Sequence, residues 1–123
     1  MKLTNNEIYA YARNLAEAFV DGEQKLPIKI SFYLQKNKNT LLQLAQDIEA
    51  SRMEIAKNYG ELDEAQAQYI IPSEKMEAAN KELIDLFNLE QEVQIYTINI
   101  DSFNDDLTIT TAQMEAIMFM IEQ

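Results

Sequence analysis

Between residues 26 and 60, apolar side chains recur every seven positions, at Leu34, Leu41, Ile48 and Ile55. A repeat of this length places its side chains on one face of an α-helix, where they pack against a partner helix. The pattern therefore predicts one long helix with an apolar seam. Gly60 marks its end, because glycine commonly follows the last turn of a helix.

The first part of this stretch has two interpretations. Apolar residues alternate with polar ones from Ile28 to Leu34, as in a strand that would give way to a new helix at Thr40. However, Pro27 suits the first turn of a helix, and the helical spacing continues without a break, so we favour one helix. Asn37 would then lie on the seam, where a buried amide fixes the register or the partner; in the strand interpretation it is a loop residue.

Caps and spacing predict three further helices. Thr4 and Glu7 have the spacing of a capping box, in which each side chain bonds to the backbone N–H of the other residue. Thr110 and Gln113 repeat it near the end of the chain. The helix between them is predicted from an apolar face formed by Met76, Ala79, Asn80, Leu83 and Phe87. Its simplest position is antiparallel to the long helix.

A small β element is predicted between the third helix and the last. Val93 and Ile95 alternate with polar residues, and Ile98 and Ile100 then alternate in the opposite phase. A lone strand cannot satisfy its backbone hydrogen-bonding groups, so this element needs a partner. We expect that partner to be residues 69–71, residues 107–109 or another subunit.

Together these elements predict a single domain, residues 1–123, with a mainly helical α+β fold. A long helix packs antiparallel on a second helix, accompanied by a small β element and by N- and C-terminal helices. The last helix is apolar on nearly all sides from Ala112 to Ile121, so it lies either in the core or in an interface. Because methionine-rich surfaces adapt to partners, the candidate partner contacts are Met114, Met118 and Phe119.

Charge adds a second candidate surface. The chain has 21 acidic and 10 basic residues, for a net charge of −11, which disfavours direct nucleic-acid binding. After Lys81 there are nine acidic residues and no basic one. This acidic third either maintains solubility or docks on a basic protein surface. The candidate contacts for docking are Asp101, Asp105 and Asp106.

Several kinds of chemistry lack the residues that they need. The chain has no cysteine or histidine, which removes thiol catalysis and the usual zinc sites. The acidic stretch from Asp101 to Asp106 lacks the glycine and the closing glutamate of a calcium loop. We therefore predict no metal, no cofactor and no enzymatic activity. No run of about 18 apolar residues occurs, so we expect a cytoplasmic protein without a membrane span.

The order of several short motifs resembles a family of small uncharacterised proteins encoded by phages and prophages of low-GC Gram-positive bacteria. The similarity rests on Leu26-Pro27-Ile28-Lys29, Lys36-Asn37, Tyr59-Gly60-Glu61, Asp63-Glu64, Lys81-Glu82-Leu83, Glu92-Val93-Gln94-Ile95 and Met120-Ile121-Glu122. In that family, the segment after the position of Glu64 resembles a hairpin and contains glycine. This chain departs from the pattern, because it has the helix-compatible Ala65-Gln66-Ala67-Gln68 there. The resemblance implies a phage origin, and no site residues.

These observations give two expectations for function. The first is a non-catalytic phage protein that binds another protein, as a virion accessory component or a chaperone-like assembly factor in the host cytoplasm or the virion. Its partner would be a phage structural protein, a host protein or a second copy in a homo-oligomer. The alternative is an acidic inhibitor of a host defence or nucleic-acid-binding enzyme, which mimics nucleic acid.

Overall fold

The mainly helical α+β fold is confirmed in a computed structural model, which describes residues 1–19, 26–103 and 109–122. The helices in these ranges are α1 (Asn5–Ala18), α2 (Ile28–Tyr59), α3 (Ser73–Asn88) and α4 (Thr111–Ile117). The strands are β1 (Lys2–Thr4), β2 (Glu61–Asp63), β3 (Gln68–Ile70), β4 (Glu90–Glu92), β5 (Ile98–Asn99) and β6 (Ile121–Glu122).

The long helix is continuous, so the favoured interpretation of residues 28–36 is confirmed and the strand alternative is wrong. Thr40 lies inside α2 rather than at a cap, and Gly60 follows its last residue. Leu34, Leu41 and Ile48 are buried, whereas the fourth seam residue, Ile55, is only half-buried. About the first two thirds of the seam is therefore buried in the core.

Both capping boxes form as the spacing predicts. The Glu7 backbone N–H donates to Thr4 Oγ1 at 3.1 Å, and the Thr4 N–H donates to the Glu7 carboxylate at 2.9 Å. The same reciprocal pair joins Gln113 and Thr110 at 3.1 and 3.0 Å. These bonds satisfy backbone donors that the first turn of a helix leaves unpaired, and they fix where α1 and α4 begin.

The predicted β element forms only in part: Ile98 lies in β5, whereas Val93 and Ile95 lie outside the strands and Ile100 begins a 3₁₀ turn. Of the expected partners, residues 69–71 are wrong, residues 107–108 lie outside the described residues, and another subunit stays a prediction. β4 pairs antiparallel with β1, and β5 pairs parallel with β6, so the two ends of the chain supply the missing neighbours. Residues 69–71 overlap β3, which pairs with β2 in a hairpin instead. The sequence does not predict β1 or β6, because strands of three and two residues are too short to show an alternating pattern.

The C-terminal helix is shorter than its apolar run predicts. α4 ends at Ile117, a 3₁₀ turn covers Met118–Met120, and the chain then extends into β6. Tightening of the helix at this point changes which side chains face inward. Met120 and Ile121 enter the core, while Met118 is half exposed.

One core joins α1, the first two thirds of α2, α4 and the strands at the chain ends. Its buried apolar side chains are Leu3, Ile8, Ala12, Leu15, Ile30, Leu34, Leu41, Ile48, Val93, Ile98, Ala116, Ile117, Met120 and Ile121. We call this part the head. α3 runs antiparallel to α2, because Tyr59 lies beside Glu82, whereas Tyr9 joins the earlier Glu49 to the later Phe87.

Candidate functional site

The segment between Ile48 and Val93 contributes almost nothing to the core. Of these 44 residues, only Ala79 is buried. The segment contains the last third of α2, the β2–β3 hairpin and α3, and we call residues 49–85 the arm. Leu86 and Phe87, which follow the arm, pack against the head. The arm is therefore a helix pair with a hairpin tip that lacks a core of its own.

Large apolar side chains of the arm lie in solvent. Five of them are between 40% and 59% exposed: Met53, Leu62, Ile70, Met76 and Ile84. Two antiparallel helices share only one strip of contact, so apolar residues beside that strip need a third element to cover them. In the described part of the chain no such element lies over Met76 and Ile84.

The apolar face of α3 is wider than the strip that it buries. Ala79 is fully buried and Leu83 is half-buried against the neighbouring helices. Met76 and Ile84 lie on the flank of the same face and border a shallow groove with Ser73, Glu77, Asn80 and Lys81. An apolar floor with charged and amide groups at its rim has the general composition of a protein-binding surface.

The hairpin at the tip forms despite its helix-compatible sequence. The Ala65 N–H donates to the Asp63 carboxylate at 3.0 Å, and Ala67 adopts the left-handed region with φ of 53°. Glycine adopts this conformation at less cost than alanine.

A polar cluster joins the arm to the head. The Tyr9 hydroxyl donates to the Glu49 carboxylate, which also accepts from Arg52 Nε at 2.9 Å. Burial of the phenol and its bond to Glu49 raise the pKa of Tyr9 to about 12. The bonds from Arg52 and Tyr9 lower the pKa of Glu49 to about 2. This cluster fixes the point at which the arm leaves the head.

We expect Tyr9 to lose its proton at a higher pH than an exposed tyrosine does. Its pKa of about 12 should move towards 10 in the Glu49→Ala variant, because the hydrogen bond and the negative charge are removed. Folded-state stabilisation from this phenol is complete below pH 10 and is lost as the pH rises towards 12. Absorbance at alkaline pH, compared with Tyr9→Phe, isolates the transition. An unchanged titration in Glu49→Ala would contradict the assignment.

Two buried asparagines attach distant segments of the chain to the helices. Asn37 lies on the seam of α2 and is fully buried. It donates to the Tyr96 carbonyl and accepts from the Tyr96 N–H, both at 2.8 Å, as a neighbouring strand would. Asn5 donates to the Leu86 carbonyl and accepts from Gln91, both at 2.7 Å. Asn37 thus fixes the register of α2 against the segment that contains Tyr96. The helical interpretation predicts such a role, and the partner is a segment of the same chain.

The candidate contacts from the sequence fall at the opposite end from the arm tip or outside the described ranges. Asp101 is exposed in a short 3₁₀ turn, and Met118 is half exposed. Met114 and Phe119 are half-buried against the core, and the Phe119 ring stacks on Tyr11 with centroids 4.3 Å apart. Asp105 and Asp106 lie outside the described residues. A partner-binding role for this set stays a prediction.

Sequence reasoning missed four of the exposed apolar residues, namely Met53, Leu62, Ile70 and Ile84. The sequence held one signal for Ile84, because this residue directly follows Leu83 of the apolar stripe assigned to α3. Met76 was assigned to the covered face and is 42% exposed. Spacing identifies an apolar side chain on a helix face, but the neighbouring elements decide whether it is covered.

The described residues show no arrangement specific to metal binding or membrane insertion. Among them, no three acidic side chains converge on a point that could hold a metal ion. None of the described helices combines the length and the apolar character that crossing a bilayer requires. Comparison with known proteins found no matching family model, curated protein or solved structure. The surface itself is thus the basis for any functional assignment.

Proposed function

We propose that this protein is a non-catalytic protein-binding protein, and that its arm is the docking surface. The observation that carries the proposal is the single buried residue between Ile48 and Val93, together with five large apolar side chains left in solvent. Met76 and Ile84 border one groove, and Leu62 and Ile70 border another at the hairpin. Neighbouring exposed apolar side chains of this kind mark interaction sites on soluble proteins. The partner covers the exposed side chains of Met76 and Ile84.

The free energy of burying apolar side chains and the flexibility of methionine favour an apolar contact at this surface. Burying a half-exposed side chain of the size of isoleucine or methionine contributes about 1 kcal/mol. Methionine also adapts its shape to an irregular partner because it is unbranched and flexible. Met53 and Met76 supply this property on the two helices of the arm. Charged residues at the rim, such as Glu77 and Lys81, would orient the partner.

The motifs that resemble phage and prophage proteins support a more specific role. In this proposal the partner is a phage structural protein, and the chain is a virion accessory component or a chaperone-like assembly factor. The alternative, an acidic nucleic-acid mimic, has less support from the surface. Among the acidic residues after Lys81, Glu90 lies 3.9 Å from Lys2 and Glu92 lies 3.1 Å from the N-terminal amine.

We expect the Met76→Ser/Ile84→Ser variant to fold normally and to lose its partner. Both side chains are exposed, so the free energy of unfolding should change by about 1 kcal/mol or less. The tagged variant and the wild type are used to capture proteins from a prophage-induced host lysate, with low-salt and then high-salt washes. Mass spectrometry should show a phage structural protein that the wild type retains through both washes and the variant retains at least about tenfold less.

The Leu89→Ser/Met118→Ser variant is the matched control. It also replaces two large apolar side chains that are at least half exposed, but both lie outside the arm. It should retain the partner as the wild type does. Equal capture by the arm variant and the wild type would contradict the proposal. Loss of capture only in the control would place the binding surface outside the arm, and release of a basic host enzyme at high salt would favour the acidic inhibitor.

A further inference from the structure

The first half of α2 presents a second surface, remote in sequence from the arm. Ile28 and Phe32 are 83% and 53% exposed, and they stand four residues apart on one face. The buried residues of this half, Ile30, Leu34, Asn37 and Leu41, lie on the other side of the helix. Because a helix advances about 100° per residue, Phe32 points away from the core. We call Ile28, Lys29, Phe32 and Lys36 the ridge.

The ridge is basic in a protein that is otherwise strongly acidic. From Gln24 to Gln46 the chain has four lysines and no acidic residue, while the other 100 residues carry 21 acidic and only six basic ones. Lys29 Nζ lies 5.8 Å from the Tyr33 ring centroid, and Lys36 Nζ lies 5.5 Å from that of Phe32. Apolar and cationic groups are therefore interleaved along one exposed face. A complementary occupant has carboxylates beside an apolar side chain.

The head of the same chain carries carboxylates beside an exposed apolar side chain. Ile100 is 55% exposed and is followed by the exposed Asp101. Glu122 is also exposed and stands opposite Asn99, two residues before Asp101, in the β5–β6 pair, where its carboxylate accepts from Thr97 Oγ1 at 3.4 Å. We call Ile100, Asp101 and Glu122 the acidic edge. It offers one apolar side chain and two carboxylates, against the two apolar side chains and two lysines of the ridge.

The ridge and the acidic edge belong to the same end of the molecule. Tyr33, next to Phe32, stacks on Tyr96 with ring centroids 5.2 Å apart. Asn37 holds the backbone of Tyr96, which leads directly into β5. When two complementary patches adjoin on one protomer, a two-fold axis beside them lets each copy place its ridge on the acidic edge of the other. Both contacts then form twice.

We propose that the ridge docks on the acidic edge of a second copy, which gives a symmetric dimer. The net charge of −11 on each copy opposes association at long range, but at physiological ionic strength this repulsion is screened beyond about 8 Å. Direct contacts between lysines and carboxylates lie within that distance. The dimer carries two arms, so it binds two partner molecules or two sites on one assembly. The dimer does not depend on what the arm binds.

Sedimentation velocity at about 0.15 M salt, with protein from about 1 to 100 μM, tests the dimer. The wild type should be dimeric within this range. The Phe32→Ser variant and the Lys29→Glu/Lys36→Glu variant should each dimerise at least about tenfold more weakly. The Met76→Ser/Ile84→Ser variant should dimerise as the wild type does, which keeps this test separate from that of the arm.

Charge exchange tests the pairing itself. The Asp101→Lys/Glu122→Lys variant should also dimerise weakly by itself. Mixing it with Lys29→Glu/Lys36→Glu should restore a dimer, because every ridge then faces an edge of opposite charge. A wild type that is monomeric at the highest concentration overturns the proposal, as does a dimer that the ridge variants leave intact. If the monomer binds a fluorescent oligo(dT) that the ridge variant releases, the occupant is nucleic acid and the proposal is wrong.

Discussion

The Leu41→Asp variant is expected to be unfolded at 25 °C. Leu41 is fully buried at the centre of the seam, where α2 meets the rest of the head. Shortening a buried leucine costs about 2–5 kcal/mol, and a carboxylate without a partner in the core adds several more. Domains of this size have a total stability of about 5–15 kcal/mol. Far-ultraviolet circular dichroism should show lost helicity and no cooperative thermal transition.

Gln43→Asp is the matched control for this variant. It places the same side chain two residues away on the exposed face of α2. Its free energy of unfolding should lie within about 0.5 kcal/mol of the wild type. If Leu41→Asp keeps both its helicity and the wild-type thermal midpoint, the seam does not face the core.

Replacing Asn37 by alanine should lower the free energy of unfolding by about 2–4 kcal/mol. The change removes both 2.8 Å hydrogen bonds to Tyr96 and leaves a backbone donor and acceptor of that residue unpaired beside the core. Segment 93–97, which lies between β4 and β5, loses its attachment to α2. Urea denaturation, with the wild type measured in parallel, gives the difference directly.

The same helix provides the control for this second variant. Asn39 is exposed, and among the described residues its side-chain oxygen accepts only from Gln35 Nε2, at 3.0 Å. Asn39→Ala should therefore change the free energy of unfolding by about 0.5 kcal/mol or less. Equal effects at the two asparagines would show that Asn37 does not attach segment 93–97 to α2.

Local signals in the sequence were sufficient for most of the helical fold. The capping boxes at Thr4 and Thr110 are bonds between residues three apart, and the α2 seam repeats within a single helix. Such features do not depend on distant parts of the chain. They predicted both helix starts, the continuity of α2 and the antiparallel position of α3.

Long-range pairings were not predictable in the same way. Lys2 pairs with Glu92, and Ile98 pairs with Ile121, across strands of two or three residues. So short a strand has no periodicity of its own, and its partner is chosen by the packing of the helices around it. The same reason applies to Asn37, whose position on the seam indicated a partner but not its identity.

The candidate site was the least predictable part. Spacing placed Met76 and Leu83 on one apolar face of α3, yet only the second of them is substantially covered. Coverage depends on how far the head extends along the helix pair, and no local pattern records that distance. The sequence indicates the C-terminal helix instead, because apolar residues are denser there than in α3.

Hydrogen exchange of the free protein tests most directly whether the arm lacks a core of its own. α2 is the natural reporter, because one continuous helix passes from the head, through Ile30–Ile48, into the arm, through Glu49–Tyr59. Amides of the arm portion should exchange at least about tenfold faster than those of the head portion, after correction for intrinsic rates, through local opening. Equal protection along the whole of α2 would mean that the arm is stable without a partner, which would contradict the account.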